Sequence, residues 1–473
     1  MTTESWETRA AAKRENITCP FIEQFLDNEE IRITSHDAVE VVDLVQLGKL
    51  TAVQVTTAFS KRAAITHQIM PSPRTAGPPC PLHGLPVSLK DQFHFKGVDT
   101  SMGYVGKTYG FPDSQTRNLE SQPTTDLLSL GAVLCCKTTL PQTLFCGETI
   151  NHITGTTVNP NNQLLSCGGS TGGEGTLIAL GGSVLGLGTD IGAFLRIPAA
   201  FNGIYSIKPT VERVSSKDVA TTNPGQTLHP RPLPPLKSTL STQPWLRDPD
   251  VVPIPFREDI FQSYKSLNRP LKFGIVWSDG IVNPHPPIRR GLEHIVTSLL
   301  SLDLRLRLLL EDASADARKQ LALSGEPLLP GILAVEEGTE PVGLLKHQDL
   351  TLHGKAYENA YSDYWNGMGG VDAVIMPVAP SAAVRQGKYY HIARTEIVSL
   401  LNYSAVVVPA HGVKVNKGVD ILDKDAWWLT IGTDDPEIYH GALMGVQIVG
   451  RKFEEKVLGI AGVADEVLKA YAK

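Results

Sequence analysis

The chain has 473 residues, of which 42% are hydrophobic and 19% are charged, a balance typical of a globular protein that can bury a sizeable core. Its 43 basic and 49 acidic side chains give a formal net charge of −6. Charge therefore gives no reason to expect nucleic acid or an anionic membrane as a partner.

The N-terminal stretch is charged and has no apolar segment of the signal-peptide type, and no run of about 18 apolar residues occurs anywhere. We therefore expect neither a signal peptide nor a membrane span. The six cysteines include no CxxC pair, which favours reduced and mostly buried thiols in a cytoplasmic protein. Cys135 and Cys136 are adjacent on a predicted strand, so their side chains are expected to point to opposite faces and to stay unpaired.

Hydrophobic periodicity predicts an alternation of helices and strands. Two helices are predicted near the N-terminus, one after a capping pattern at residues 35–37 and ending near Gly48, the other over residues 51–65. The further predicted elements are strands at residues 85–89, 131–137, 272–277, 302–308, 373–376, 405–408 and 446–449, and helices at residues 124–130, 170–180, 288–302 and 453–471.

The segment from residue 215 to residue 255 is too rich in proline for a helix or a central strand and is interpreted as irregular. The favoured interpretation is a surface loop with polyproline II character. A PxxP ligand for a partner domain is the alternative.

Residues 166–203 contain 11 glycines among 38 positions, yet long apolar side chains alternate with them, which indicates a buried, tightly turned scaffold. Glycine clusters at residues 168–173 and 188–192 flank a helix-like run. Such clusters can present backbone N–H groups as an anion-binding nest or an oxyanion hole. A phosphate-binding loop is disfavoured, because Glu174 follows Gly173 where such a loop requires lysine.

Motifs spread over nearly the whole chain match a known pattern. The matching residues are 85–93 (LPVSLKDQF), 146–149 (CGET), 168–175, 186–191, 195–199, 208–210, 372–380 (DAVIMPVAP), 401–405 (LNYSA) and 445–451 (GVQIVGR). The glycine-rich part resembles the signature of the amidase signature family of serine hydrolases, which reads GGSSGGEGAL, then GTDIGGS-[IL]-R-x-PA and KPT. The other motifs are most similar to the fungal acetamidase-type branch of that family.

The resemblance implies one domain, an α/β/α sandwich around a large mixed, mostly parallel β-sheet, with the glycine-rich stretch in its core. The expected parts of this domain, residues 1–473, are an N-terminal helical arm at about residues 1–68, a signature core at 82–210, the proline-rich irregular segment at 211–255 and a C-terminal half at 256–473.

Compared with the family pattern, the chain looks abridged in three places. These are near residues 70–80, 215–240 and 310–335, and a core strand that the family has after Gln68 is expected to be missing.

In the family, a serine nucleophile, a serine preceded by a cis peptide bond and a neutral lysine form a catalytic triad. The resemblance assigns the lysine to Lys90 and the bridging serine to Ser170, with a cis bond between Gly169 and Ser170. Burial at the end of an apolar strand is expected to lower the pKa of Lys90 toward that of a usable base. Ser170 is also expected to cap the helix that follows it.

The nucleophile position breaks the pattern, because residues 190–194 read Asp-Ile-Gly-Ala-Phe where the family reads Asp-Ile-Gly-Gly-Ser. Phe194 has no exchangeable proton and cannot act as a nucleophile. Its ring is expected to occupy the place of the substrate acyl carbon, and Ala193 is expected to add strain if that position requires a positive φ. The oxyanion hole assigned by the resemblance comprises Ile191, Gly192, Ala193 and Phe194.

Neighbouring side chains offer substitutes for the missing serine, although only Ser170 is expected near Lys90. The substitutes are Ser170, Thr171, Ser183, Thr189 and, more weakly, Cys167. Asp190 and Arg196 are expected to hold the loop through an ion pair. The 13 histidines form no metal-ligand motif, so neither a metal nor another cofactor is expected.

The activity implied by the resemblance is hydrolysis of a small carboxylic amide to acid and ammonia through an acyl-enzyme, weak or lost in this chain. Three hypotheses remain open. They are an amidase with an improvised nucleophile, a pseudoenzyme that binds a ligand or a protein partner in the old cleft, and a decaying or mis-spliced product that folds poorly. The expected partner is a small amide or a related ligand, and a homodimer is left open.

Overall fold

The computed structural model describes residues 23, 25–66, 80–108, 118–221, 235–265, 269, 271–276, 288, 321–327, 329, 343–389, 392–410, 415 and 439–471. These residues form helices and β-sheets, so the chain is an α/β protein as predicted. The predicted strand at residues 302–308 and nearly all of the predicted helix at residues 288–302 lie outside the described residues. The place of the expected missing strand, near residues 70–80, lies outside them as well, apart from Cys80.

Helices occur along the whole described part of the chain. They are α1 Asn28–Thr34, α2 Ala38–Gln46, α3 Ala52–Thr66, α4 Gln122–Ser129, α5 Gly172–Ala179, α6 Arg196–Asn202, α7 Pro235–Ser241, α8 Glu258–Lys265, α9 Leu344–Gly367, α10 Ala393–Leu400 and α11 Lys456–Tyr471, with turns of 3₁₀ helix at Val105–Lys107 and Pro244–Leu246. No helix within the described ranges has the length and apolar character needed to cross a bilayer.

The strands form two sheets and a short ribbon. They are β1 Pro86–Lys90, β2 Val133–Thr138, β3 Ile150–Asn151, β4 Gly155–Thr156, β5 Leu185–Leu187, β6 Ser206–Lys208, β7 Phe273–Ile275, β8 Ala373–Pro377, β9 Ser404–Pro409 and β10 Gly445–Gly450. The first sheet has the order β2-β1-β5, the second has the order β6-β9-β10-β8-β7, and β3 pairs with β4.

The direction of pairing differs between the two sheets. In the first, β1 pairs in parallel with both neighbours. In the second, β7 pairs in parallel with β8, whereas the β6–β9, β9–β10 and β10–β8 pairs are antiparallel. The sheet that carries Lys90 is therefore parallel, and the second sheet is mixed.

Capping explains the N-terminal helices. The Asp37 carboxylate accepts from the Glu40 N–H and Glu40 accepts in return from the Asp37 N–H, a capping box that starts α2 as predicted. The helix ends before Gly48, whose φ of 67° is the left-handed conformation that glycine adopts without penalty. A second capping box, between Asp27 and Glu30, starts α1, which was not predicted.

A β-bulge changes the geometry of the adjacent cysteines. The register of β1 with β2 shifts between Val87 and Ser88, which pair with Leu134 and Cys136. Cys135 is the extra residue, and the two cysteine sulfurs lie 3.9 Å apart. The prediction that these side chains point to opposite faces is therefore wrong, although both are free thiols as predicted.

The proline-rich segment is more regular than predicted. Helix α7 begins at Pro235, where the missing N–H costs nothing because the first turn of a helix leaves its N–H groups unpaired. A turn of 3₁₀ helix follows, and Asp248 accepts hydrogen bonds from the hydroxyl of Ser215 and the N–H of Ser216. The prediction of a wholly irregular segment is wrong, while residues 222–234 lie outside the described residues.

Helix α9 is the main element that the sequence interpretation missed. Its leucines do not form one buried stripe, since Leu344, Leu345 and Leu352 are all exposed. It packs through its C-terminal half, where Trp365 meets Tyr403 with ring centroids 5.4 Å apart. Aromatic contacts rather than an aliphatic stripe hold this helix on the protein.

The glycine-rich stretch lies in the interior, as predicted. Helix α6 is buried along its whole length and ends at Gly203, which has a φ of 68°. Ile191 and Phe194 belong to the same hydrophobic cluster as Val87 and Leu89 of β1. This packing brings the turn between β5 and α6 against the strand that ends at Lys90.

Candidate active site

Lys90 is the centre of the site. It is the last residue of β1, a strand in which all five residues are buried, and its side chain is fully buried. Its Nζ donates hydrogen bonds to Ser170 Oγ at 2.7 Å and to Thr189 Oγ1 at 2.9 Å. The structure thus brings Lys90 and Ser170 together, as the resemblance implies, and adds Thr189.

Ser170 follows a cis peptide bond with Gly169, which is also the expectation from the resemblance. A Cβ at Gly169 would lie 2.4 Å from the carbonyl oxygen of Glu148, so this position admits only glycine. The N-cap of α5 is Thr171, so the expectation that Ser170 caps this helix is wrong. Among the described residues, Lys90 is the hydrogen-bond partner of the Ser170 hydroxyl, to which its Nζ donates.

Gln92 is a site residue that the sequence interpretation missed. Thr189 Oγ1 donates to Gln92 Oε1 at 2.5 Å, and Gln92 Nε2 donates to the Ala220 carbonyl oxygen at 2.9 Å. Lys90, Thr189 and Gln92 therefore form one hydrogen-bonded chain. The available signal was the position of Gln92 in the LPVSLKDQF motif, two residues after Lys90.

Burial sets the charge of the lysine. Desolvation lowers the pKa of Lys90 to about 7, while the negative charges of Asp190 and Glu174 oppose this shift. A large fraction of the side chain is therefore a neutral amine near neutral pH. Because that amine contacts Ser170 Oγ, it is placed to accept the serine proton.

The turn after Thr189 carries the residues assigned to the oxyanion hole, Ile191 to Phe194. No described residue accepts a hydrogen bond from the N–H groups of Gly192, Ala193 or Phe194, which leaves these donors available. Ala193 is not among the residues with a positive φ, so the expected strain at this position is absent.

Asp190 and Arg196 form a fully buried ion pair that holds this turn. Arg196 Nε lies 2.8 Å from Asp190 Oδ2, and its Nη2 donates to the Gly192 carbonyl oxygen at 3.2 Å. The same nitrogen donates to Thr395 O and Ser399 Oγ, both at 2.8 Å. The pair supports the turn, in agreement with the sequence interpretation.

Phe194 is buried in the hydrophobic cluster, with 2% of its surface exposed. Its carbonyl oxygen accepts from the Thr171 N–H at 2.9 Å, which ties the turn to the residue after Ser170. The backbone of the turn is therefore docked beside Ser170, while the side chain at this position offers no reactive group.

The remaining candidate nucleophiles point elsewhere. The hydroxyl of Thr171 donates to Thr189 O, the hydroxyl of Ser183 donates to Leu185 O, and the thiol of Cys167 donates to Thr157 O. Burial raises the pKa of Cys167 to about 12, which keeps it a neutral thiol. Within the described residues, the hydroxyls that contact Lys90 are those of Ser170 and Thr189, so the expectation of Ser170 alone is wrong.

The described residues contain no group of three His, Cys, Asp or Glu side chains that could hold a metal ion. The expectation of chemistry without a cofactor stays a prediction.

A buried lysine lies beside a serine that follows a cis peptide bond, and within the described residues a row of N–H groups has no acceptor. Apart from the nucleophile, this is the site of a lysine-dependent serine hydrolase on an α/β fold. The amidase family model matches residues 49–308. This chain belongs to the amidase signature family.

Similar proteins support this assignment. The chain is 34% identical to an acetamidase of Emericella nidulans, over 98% of this chain and 98% of that protein. It is 35% identical to an acetamidase of Aspergillus oryzae, over 99% of this chain and 100% of that protein. The structure of a fatty acid amide hydrolase superposes with a TM-score of 0.86 at 26% identity, over 99% of this chain and 91% of that chain. These findings confirm the predicted fold class and the acetamidase-type resemblance.

The relatives also carry residues that this chain lacks. The alignment with the Emericella nidulans acetamidase runs over 550 positions, more than the 473 residues of this chain. This agrees with the predicted abridgement, whose expected places near residues 70–80 and 310–335 lie mostly outside the described residues.

Proposed function

We propose that this amidase-family protein hydrolyses small carboxylic amides weakly or not at all, because Phe194 stands at the position that the resemblance assigns to the nucleophilic serine. The observation that carries the proposal is that the lysine and the bridging serine keep their contact while the neighbouring nucleophile position holds a phenylalanine. Lys90 and Ser170 keep a hydrogen bond of 2.7 Å, while the turn beside them carries a phenyl ring. Base and bridging serine are present, and the acyl-forming hydroxyl is absent.

Residual hydrolysis would use Ser170 as an improvised nucleophile. Neutral Lys90 takes the hydroxyl proton, Ser170 Oγ attacks the amide carbon, and the N–H groups of Gly192, Ala193 and Phe194 stabilise the oxyanion. The lysine then gives its proton to the leaving nitrogen, ammonia departs, and water hydrolyses the acyl-enzyme. The reaction is slow because Ser170 now has to act as nucleophile without a second serine and beside a bulky ring.

A pseudoenzyme that binds a ligand or a protein partner in the old cleft is the second candidate. It is favoured by the burial of Phe194, whose ring would fill the acyl position without disturbing the Lys90 network. The two candidates differ in one property, the presence of an activated hydroxyl.

The substrate class proposed for either candidate is a small carboxylic amide or a related ligand, since the relatives are named acetamidases. The proposal places the protein in the cytoplasm, without nucleic-acid or membrane partners, and leaves a homodimer open. Neither metal nor other cofactor enters the proposed chemistry.

A fluorophosphonate probe tests the proposal, because it reacts only with an activated hydroxyl. The protein is incubated with the probe, and mass spectrometry locates the modified residue. Slow labelling at Ser170 that is lost in Lys90→Ala supports the improvised nucleophile, and no labelling of folded protein supports the pseudoenzyme. The matched control is Ser183→Ala, a buried serine without contact to Lys90, which should label like the parent. Rapid labelling at any other residue would overturn the proposal.

A further inference from the structure

Glu174 is a second buried titratable group beside the site, and the mechanism above does not use it. It lies in the first turn of α5 and is 3% exposed. Its Oε2 accepts from Ser88 Oγ at 2.5 Å and its Oε1 accepts from Thr138 Oγ1 at 2.6 Å. Within the described ranges, Glu174 forms no ion pair with a basic side chain.

Three strands and one helix converge on this carboxyl group. Ser88 lies on β1 two residues before Lys90, and Thr138 is the last residue of β2. On β5, a Cβ at Gly186 would lie 2.1 Å from Glu174 Oε2, so the carboxyl group occupies the space that any side chain there would need. The structure therefore provides a fitted place for a carboxyl group under the lysine strand.

The hydrogen bonds around Glu174 can be satisfied in both protonation states. When Glu174 is ionised, Ser88 donates to it. When Glu174 is protonated, it can donate to Ser88 Oγ, which then donates to its second neighbour, the Leu185 carbonyl oxygen at 3.3 Å. Thr138 donates to the other carboxyl oxygen in either state. Ser88 can thus change its role without a change in its position.

The carboxyl group lies on the Lys90 side of β1, because its partner Ser88 points to the same face of that strand as Lys90. Burial raises the pKa of Glu174 to about 7, opposed by the hydrogen bonds from Ser88 and Thr138 and by the charge of Lys90. Lys90 has its own pKa lowered by burial to about 7.

Two other titratable groups face the pair. Asp190 also favours the charged form of Lys90, but its own charge is balanced by Arg196. On β2, a hydrogen bond from Cys135 and burial raise the pKa of Cys136, which stays a neutral thiol. Among the described acidic groups near the lysine, Glu174 is therefore the one whose negative charge no basic side chain balances.

We propose that Glu174 is a positioning residue that shares one proton with Lys90, so that its protonation sets whether the lysine is the neutral amine that can accept the Ser170 proton. With the proton on Glu174, Lys90 is neutral and Ser88 donates to Leu185. With the proton on Lys90, Glu174 is ionised and accepts from Ser88. The inference rests on the proposed function for its catalytic meaning, whereas the coupling itself exists without substrate.

The test is a direct titration of Lys90. The protein is labelled with lysine carrying ¹³C at the ε carbon, and the Lys90 signal is assigned by its loss in Lys90→Met. In Glu174→Gln the amide can donate to Ser88 as the protonated acid does, so the fold is retained while the negative charge is removed. Because a negative neighbour favours the charged lysine, the midpoint of Lys90 should fall by about 1 pH unit.

Two variants keep the test decisive. Ser88→Ala removes a donor that favours ionised Glu174, so it should shift the Lys90 midpoint downward by a smaller amount, even if Glu174→Gln fails to fold. Asp126→Asn is the matched control, a buried carboxylate that accepts from Gln122 and Arg247 and should leave the midpoint unchanged.

An unchanged Lys90 midpoint in folded Glu174→Gln or folded Ser88→Ala would overturn the inference. So would an equal shift in Asp126→Asn. Since the titration is made without substrate, a protein with no hydrolysis at all would still show the shift. Failure of the proposed function and failure of this inference are therefore separate results.

Discussion

Lys90 Nζ donates to Ser170 Oγ across 2.7 Å, and both side chains are buried, although no serine stands at residue 194. The lysine and the serine that the resemblance assigns to the triad are thus held together, while residue 194, the position that the resemblance assigns to the nucleophile, is a phenylalanine. This relationship determines what each variant of the site should do.

Hydrolysis of simple amides should be at least ~10³-fold slower than in a family member with the full triad, because loss of one triad member typically forfeits that much. Any remaining rate should vanish in Lys90→Ala and in Ser170→Ala. The measurement is kcat/KM for acetamide, with the parent and an intact acetamidase side by side. A parent rate within tenfold of the intact enzyme would contradict this prediction.

The remaining rate should depend on pH through the lysine. Because the base is the neutral amine and burial lowers the pKa of Lys90 to about 7, kcat/KM should rise as the pH increases through about 7 and then level off. Without burial the rise would lie near the ordinary lysine pKa. The measurement is kcat/KM as a function of pH, over the pH range in which the protein stays folded. A value of kcat/KM that falls as the pH rises through about 7 would exclude Lys90 as the base.

Thr189→Val should slow fluorophosphonate labelling at the site and lower the free energy of unfolding. The change removes one acceptor of Lys90 and leaves Gln92 Oε1 without its donor, which costs about 1–3 kcal/mol for a buried polar atom. Fluorophosphonate labelling and chemical denaturation measure the two effects. The matched control is Thr176→Val, whose hydroxyl donates to Val158 O away from Lys90 and whose loss should not slow labelling. Equal labelling rates in the two variants would show that Thr189 does not support the lysine.

Much of this site could be predicted from the sequence, and the missing parts have a physical reason. Lys90, Ser170 and the cis bond follow from motifs in which each residue keeps a fixed place. The Gln92–Thr189 contact joins residues 97 positions apart, and only the packing of β1 against the turn after β5 brings them together. A local sequence pattern cannot predict a contact between residues so far apart in the chain.

In the fold, too, features with local sequence signals were predictable, and features that depend on tertiary packing were not. Capped helices and buried strands such as β8 and β9 were predictable because their signals are local. Helix α9 was missed because its exposed leucines obscure the apolar face, and the bulge at Cys135 was missed because it depends on the pairing of β2 with β1. Propensity and periodicity do not encode a register shift.

The buried Asp190–Arg196 pair should be a large contributor to stability. Arg196→Met leaves an uncompensated carboxylate in the interior, which should lower the free energy of unfolding by ~3–5 kcal/mol. The control is Arg32→Met, which breaks a solvent-exposed pair with Glu29 and should change stability far less than Arg196→Met. Thermal melts followed by circular dichroism give both values. A parent protein without a cooperative melt would instead support the poorly folding product.

Thiol counting tests the redox state. The sulfurs of Cys135 and Cys136 are 3.9 Å apart, much farther than the ~2.05 Å of a disulfide bond, so they should remain reduced. All six cysteines should react with a thiol reagent in denaturant. Four or fewer reactive groups would contradict a reduced, cytoplasmic protein.

The central claim is that Phe194 prevents amide hydrolysis at a site that keeps Lys90 and Ser170. A variant that restores a serine at residue 194 tests this claim most directly. Phe194→Ser restores the hydroxyl beside Ser170 and Lys90. Because Ala193 does not have a positive φ, adding Ala193→Gly should change the recovered rate by less than ~3-fold, since no left-handed turn has to be relieved.

Phe194→Ala is the control for this rescue, because it removes the ring without supplying a hydroxyl. Both substitutions open a cavity that costs about 3–5 kcal/mol, so the melt is measured with the rate. The account predicts amide hydrolysis and fluorophosphonate labelling at residue 194 in folded Phe194→Ser, and neither in folded Phe194→Ala. A folded Phe194→Ser variant with no hydrolysis and no labelling would contradict it.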